Sequence, residues 1–147
     1  VLNRIVDGID GMRFALHLCR RNKGRSGWIG EGGYGPIVPA LNDLTFDMLM
    51  LEFSIPVAGD KDILSRLSNK FDIGLGCVDC RSPHIDTPEE IVVRVEEALN
   101  FIAAERIYLH PDCGFAPGSA AEIPIDEAYG KIRNLSIAAK MLREKYG

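Results

Sequence analysis

The sequence predicts an α/β fold of four βα units. Three observations carry this: four short apolar segments, a turn-rich loop after each, and helical periodicity between them. The segments are MRFALHLC (12–19), FDMLMLEF (46–53), FDIGLGCV (71–78) and RIYLHPDC (106–113). In the first, His17 and Cys19 alternate with Phe14, Leu16 and Leu18, so one face carries polar ligand types and the other is fit to lie under helices. Short helices are expected at about 36–44 and 61–69. A longer one is expected over 88–104: Thr87, Pro88 and Glu90 form an N-cap, a first-turn proline and a capping-box acid ahead of Ile91, Val92, Val95, Ala98, Leu99 and Ile102. The last helix, about 126–145, has Ile132, Leu135, Ala138, Ala139 and Leu142 on one stripe and Lys140, Arg143 and Lys145 near its C-terminal dipole. Alternating strands and helices imply a parallel sheet covered by helices. Two closures fit, a small doubly wound sheet or half of an eight-stranded barrel, since a whole barrel takes ~250 residues.

With 147 residues, 46% hydrophobic and 26% charged, the chain is expected to form a single domain over 1–147 with one ordinary core. The formal charge of −4 opposes non-specific attraction to nucleic acid. No window approaches the ~18 to 20 apolar residues of a membrane span, and VLNRIVDGID lacks the apolar centre of a signal peptide. A cytoplasmic protein with no membrane partner is expected. The first residue is Val rather than Met, so a fragment is one reading of the start beside a full gene product. Four cysteines, Cys19, Cys77, Cys80 and Cys113, are too few and too unevenly spaced for a disulfide scaffold, which brings in metal or redox chemistry.

Glu52 ends the second predicted strand and Cys113 the fourth. In a parallel sheet the strand C-termini share one rim, so two thiolates, an imidazole and a carboxylate arrive there together. Such a set suits tetrahedral Zn²⁺ with bonds of ~2.0–2.3 Å, the carboxylate being the most exchangeable ligand. The competing reading is core-filling cysteines and a satisfied histidine.

The HLC at 17–19, the Glu closing DMLMLE (47–52) and HPDCGF at 110–115 resemble the C-terminal barrel of cobalamin-independent methionine synthase and its shorter relatives. CRRNKGRSGWIGEGGYGPIVPAL (19–41) looks like the short branch, with its CRxN…EGGY…PI pattern, and DCRSP (79–83) stands where the family has a DxHSP-like turn. The resemblance covers nearly the whole chain. It implies the second half of a (β/α)8 barrel, with Zn²⁺ as cofactor held by His17, Cys19, Glu52 and Cys113. It further implies a methyltransferase in which a thiol such as homocysteine, activated as a zinc thiolate, takes a methyl group from methyltetrahydrofolate. In the family the preceding half barrel holds most of the substrate. This chain is therefore expected to pair with an N-terminal half or with itself, because an isolated half leaves two strand edges open.

The family's turn histidine falls at Arg81, and a guanidinium cannot shuttle a proton near neutral pH. Asp79 and His84 are the candidates to protonate the folate amine; the competing readings are a loop cap and an exposed side chain before Thr87. Thiol alkyltransferases of the coenzyme M type, which use a similar zinc site, are the related alternative. Arg20, Arg21, Lys23 and Arg25 suit an anionic substrate tail or a solvated loop. GEGGYG (30–35) also fits a dinucleotide fingerprint, but Gly30 lies eleven residues beyond Cys19 and Pro36 and Pro39 interrupt the helix start. Cys77 and Cys80 form a CxxC that opens no helix, so core or supporting roles are expected for both. A zinc-binding interaction protein without activity completes the alternatives.

Overall fold

The computed structural model describes residues 1–21, 24–115 and 123–147. Lys23 lies outside them. The elements run α1 (Asn3–Val6), β1 (Ala15–Leu18), α2 (Val38–Asn42), β2 (Met48–Glu52), β3 (Asp72–Val78), α3 (Pro88–Leu99), β4 (Ile107–Pro111) and α4 (Ile125–Tyr146). All strand pairs are parallel and the sheet order is β1-β2-β3-β4. A doubly wound sheet reverses its strand order at a switch point. This order never reverses, which is the winding of a barrel.

The two faces of the sheet differ as barrel strands require. Leu49, Leu51, Ile73, Leu75 and Cys77 are fully buried beneath the helices. On the opposite face His17 and Tyr108 are exposed and Met48, Met50 and His110 only half-buried. Glycines at 74 and 76 make that face crowded without bulk: a Cβ on Gly76 would lie 2.0 Å from Asp112 Oδ1, and one on Gly74 would lie 2.9 Å from Met50 Cγ.

Local chemistry sets most boundaries. Thr87 accepts the Glu90 N–H at 3.2 Å and the Glu90 carboxylate accepts the Thr87 N–H, so the expected capping box opens α3. The helix stops at Leu99 rather than 104, where Asn100 Nδ2 turns back onto the carbonyls of Glu96 and Glu97. Ile102 is still buried, which is why its periodicity overshot the helix end. The helix expected at 61–69 is a 3₁₀ segment, Lys61–Arg66, and that at 36–44 is a 3₁₀ turn, Gly35–Ile37, running into α2. In α4, Leu135 and Ala138 are buried, but Ile132 is 46% exposed and lines an open groove beside β4 with Leu109 and Ala139.

Candidate metal centre

His17 lies on β1, Cys19 just past its end, and Glu52 is the last residue of β2. The β3–β4 ladder continues one bond past β4, from the Asp112 N–H to the Val78 carbonyl at 2.9 Å. Cys113 then takes φ 55° and Gly114 φ 69°, a left-handed turn at the sheet rim. One donor atom from each of His17, Cys19, Glu52 and Cys113 lies within 4.8 Å of the others. The two Sγ atoms are 3.1 Å apart, His17 Nε2 is 3.5 Å from Glu52 Oε1, and Cys113 Sγ contacts the same oxygen.

The four donor groups are coupled electrostatically. Burial pushes the Glu52 carboxyl up, but His17, Cys113 and Arg81 outweigh it and hold it at about 2. The Cys113 thiol is pushed far up, by burial first and then by the Glu52 carboxylate and Cys19. Burial raises the Cys19 thiol as well, yet hydrogen bonds from Cys113, the Arg21 N–H and His17 lower it on balance. Hydrogen bonding to Glu52 raises the His17 imidazole against a partial loss of hydration. Two sulfurs, a nitrogen and an oxygen within reach of one another are a donor set that fits Zn²⁺.

A family model described as the catalytic domain of cobalamin-independent synthase matches residues 14–141. The chain belongs to that family. The methionine synthase of Pyrococcus abyssi is 31% identical over 146 residues, covering 98% of this chain and 37% of the relative. The uncharacterized protein YxjH of Bacillus subtilis is 30% identical over 134 residues, covering 89% and 35%. A solved B12-independent methionine synthase from Shewanella sp. W3-18-1, in complex with selenomethionine, has a TM-score of 0.81 at 22% identity over 98% of this chain and 42% of that one. The chain thus spans between 35% and 42% of the length of these proteins. Its four parallel βα units have the fold of the C-terminal half of a (β/α)8 barrel.

In this domain the glycine-rich loop serves Glu52. Tyr34, buried and edge-on to Phe53 at 5.4 Å between ring centroids, accepts the Glu52 N–H at 2.9 Å and donates to the Glu52 carbonyl at 3.4 Å. Arg20 stacks over the Tyr34 ring at 4.6 Å, and its guanidinium donates to the carbonyls of Gly32 and Ala58. Its side chain is therefore spent on the loop, and only its N–H faces Glu52, 3.4 Å from Oε2. The Glu52 side chain is fully buried, which leaves it unfit for the ribose contact of a dinucleotide site. The Arg21 side chain is exposed and its N–H donates to Cys19 Sγ at 3.2 Å. Arg25 reaches the Arg81 carbonyl at 3.1 Å.

Asp79 Oδ1 accepts the Arg81 N–H at 2.9 Å and so closes its own turn. His84 is exposed and faces Glu90 at 3.1 Å, in a separate group with Asp86. Cys77 and Cys80 are fully buried, and burial raises their thiols to about 12 and about 11.

Sequence reasoning missed the residues around Arg81. Its guanidinium is 4% exposed and lies 3.0 Å from Glu52 Oε2, 3.5 Å from Asp112 Oδ2 and 3.7 Å from Cys113 Sγ. Asp112 is fully buried and also takes Ser54 Oγ and N–H on Oδ2. Lys131, buried on α4, ties down the same turn through the carbonyls of Asp79 and Ser82. The DCRSP and HPDC strings mark both turns, but nothing in them shows that they meet at Glu52.

Proposed function

We propose that this domain is the zinc-binding half of a methyltransferase that activates a small thiol, homocysteine being the candidate, for methylation by methyltetrahydrofolate. The observation that carries the reading is the convergence of His17, Cys19, Glu52 and Cys113 within 4.8 Å at the C-terminal rim of a cobalamin-independent synthase half barrel. Zn²⁺ held by these four residues would supply the positive charge that lets a bound thiol ionise and become nucleophilic. Cys19 and Cys113 supply two negative charges and His17 a neutral nitrogen, a set that holds the cation near zero net charge. Glu52 would be the ligand most readily exchanged for a substrate sulfur, because carboxylate oxygen is a poorer match for zinc than thiolate.

The exposed inner face of the sheet, with His17 and Tyr108 on it, and the open edges of β1 and β4 fit a second half barrel, from another part of a longer protein or from a partner. That half positions the methyl donor in line with the sulfur. No described helix is long and apolar enough to cross a membrane.

The test is to incubate the zinc-loaded protein with homocysteine and methyltetrahydrofolate, alone and with the N-terminal half barrel of a family member. Methionine formed only when the second half is present is the expected result. No methionine in either case, with no thiol taken up at the metal, overturns the proposal.

A further inference from the structure

We infer that Arg81 is a positioning residue: it binds one oxygen of Glu52, leaves the other for the metal, and keeps the carboxylate neutralised when a thiol displaces it. The inference rests on the thiol-exchange reading above. The two Glu52 oxygens have different surroundings. Oε2 is taken by Arg81 at 3.0 Å and by the Arg20 N–H at 3.4 Å, whereas Oε1 faces His17 and Cys113. A carboxylate held this way offers the metal one oxygen.

On exchange the metal–oxygen bond breaks, a metal–sulfur bond forms, and the thiol proton leaves to water. Glu52 then becomes a displaced anion in a fully buried position. An unpaired buried carboxylate is strongly unfavourable, and a hydrogen-bonded guanidinium removes most of that cost. Arg81 already stands there and is held in place: Asp79 and Asp112 take its guanidinium, Arg25 its carbonyl, and Lys131 the carbonyls flanking its turn. A merely structural arginine would stabilise the turn without altering the exchange.

The experiment uses protein loaded with Co²⁺, whose visible absorption reports sulfur ligation, titrated with homocysteine. Arg81→Gln should still take up one Co²⁺ yet require at least about ten-fold more homocysteine for half-conversion. Arg81→Lys keeps the charge but cannot span Glu52 and Asp112 together, so a smaller weakening is expected; it decides the matter if Arg81→Gln does not fold. A parent-like titration in either variant overturns the inference, as does loss of the metal from both. If the parent's own spectrum does not respond to homocysteine, the thiol-exchange reading itself has failed.

Discussion

The Tyr34 hydroxyl bonds both backbone groups of Glu52, its N–H at 2.9 Å and its carbonyl at 3.4 Å, where the strand ladder ends. A loop eighteen residues upstream thereby fixes the base of the carboxylate ligand. Tyr34→Phe leaves both groups buried and unpaired, which should cost about 1–3 kcal/mol. Thermal unfolding should show the loss, and chelator competition should show weaker metal retention. Unchanged values for both would mean that the loop does not support Glu52.

The cysteines divide into two pairs by environment. Cys113→Ser should remove most of the bound zinc, because it deletes a ligand at the rim. Cys80→Ser should keep the zinc while lowering the melting temperature, since Cys80 is fully buried and its thiol donates to the Asp112 carbonyl. Metal analysis of the two purified variants checks this, and equal zinc loss from both would move the site towards the CxxC.

Asp112 gives stability a specific pH dependence. Burial raises its carboxyl from 3.8 to about 7, so the folded state prefers the neutral form. The stability it lends is complete below about 3.8 and is lost as pH rises towards 7. Asp112→Asn keeps an acceptor for Ser54 and cannot ionise. In metal-free protein, its melting temperature relative to the parent should therefore climb between pH 4 and pH 8, whereas a constant offset would contradict the burial effect.

Lys131→Met should destabilise the fold by about 1–3 kcal/mol, because the carbonyls of Asp79 and Ser82 lose their donor. Denaturant unfolding measures it. An effect within ±0.5 kcal/mol, as at an ordinary surface site, would show that the turn holds without the lysine.

Open edges at β1 and β4 should keep the isolated chain from remaining a monodisperse monomer. Light scattering across a concentration series is expected to show self-association or capture of an added half barrel. A stable monomer at high concentration would contradict it.

What was legible in the sequence was local or periodic. The Thr87–Glu90 capping box joins residues three positions apart, and the alternation of His17 and Cys19 needs only a strand to put both on one face. The common rim followed from parallel strands alone. Arg81 was legible as a departure from the family's turn but not as the partner of Glu52, because that ion pair joins a turn to a strand end twenty-nine residues away. Lys131 and Glu127, four apart on a helix, look like an ordinary surface pair, and only tertiary packing buries the lysine. The glycine loop suggested turns, whereas its most consequential residue is the tyrosine within it.

X-ray absorption at the zinc edge of the purified protein, before and after homocysteine, bears most directly on the metal centre. Two sulfurs, one nitrogen and one oxygen are expected at first, with a third sulfur replacing the oxygen once thiol is added. A shell without sulfur, or a spectrum that no thiol changes even in Glu52→Ala, would contradict a thiol-activating site built from His17, Cys19, Glu52 and Cys113.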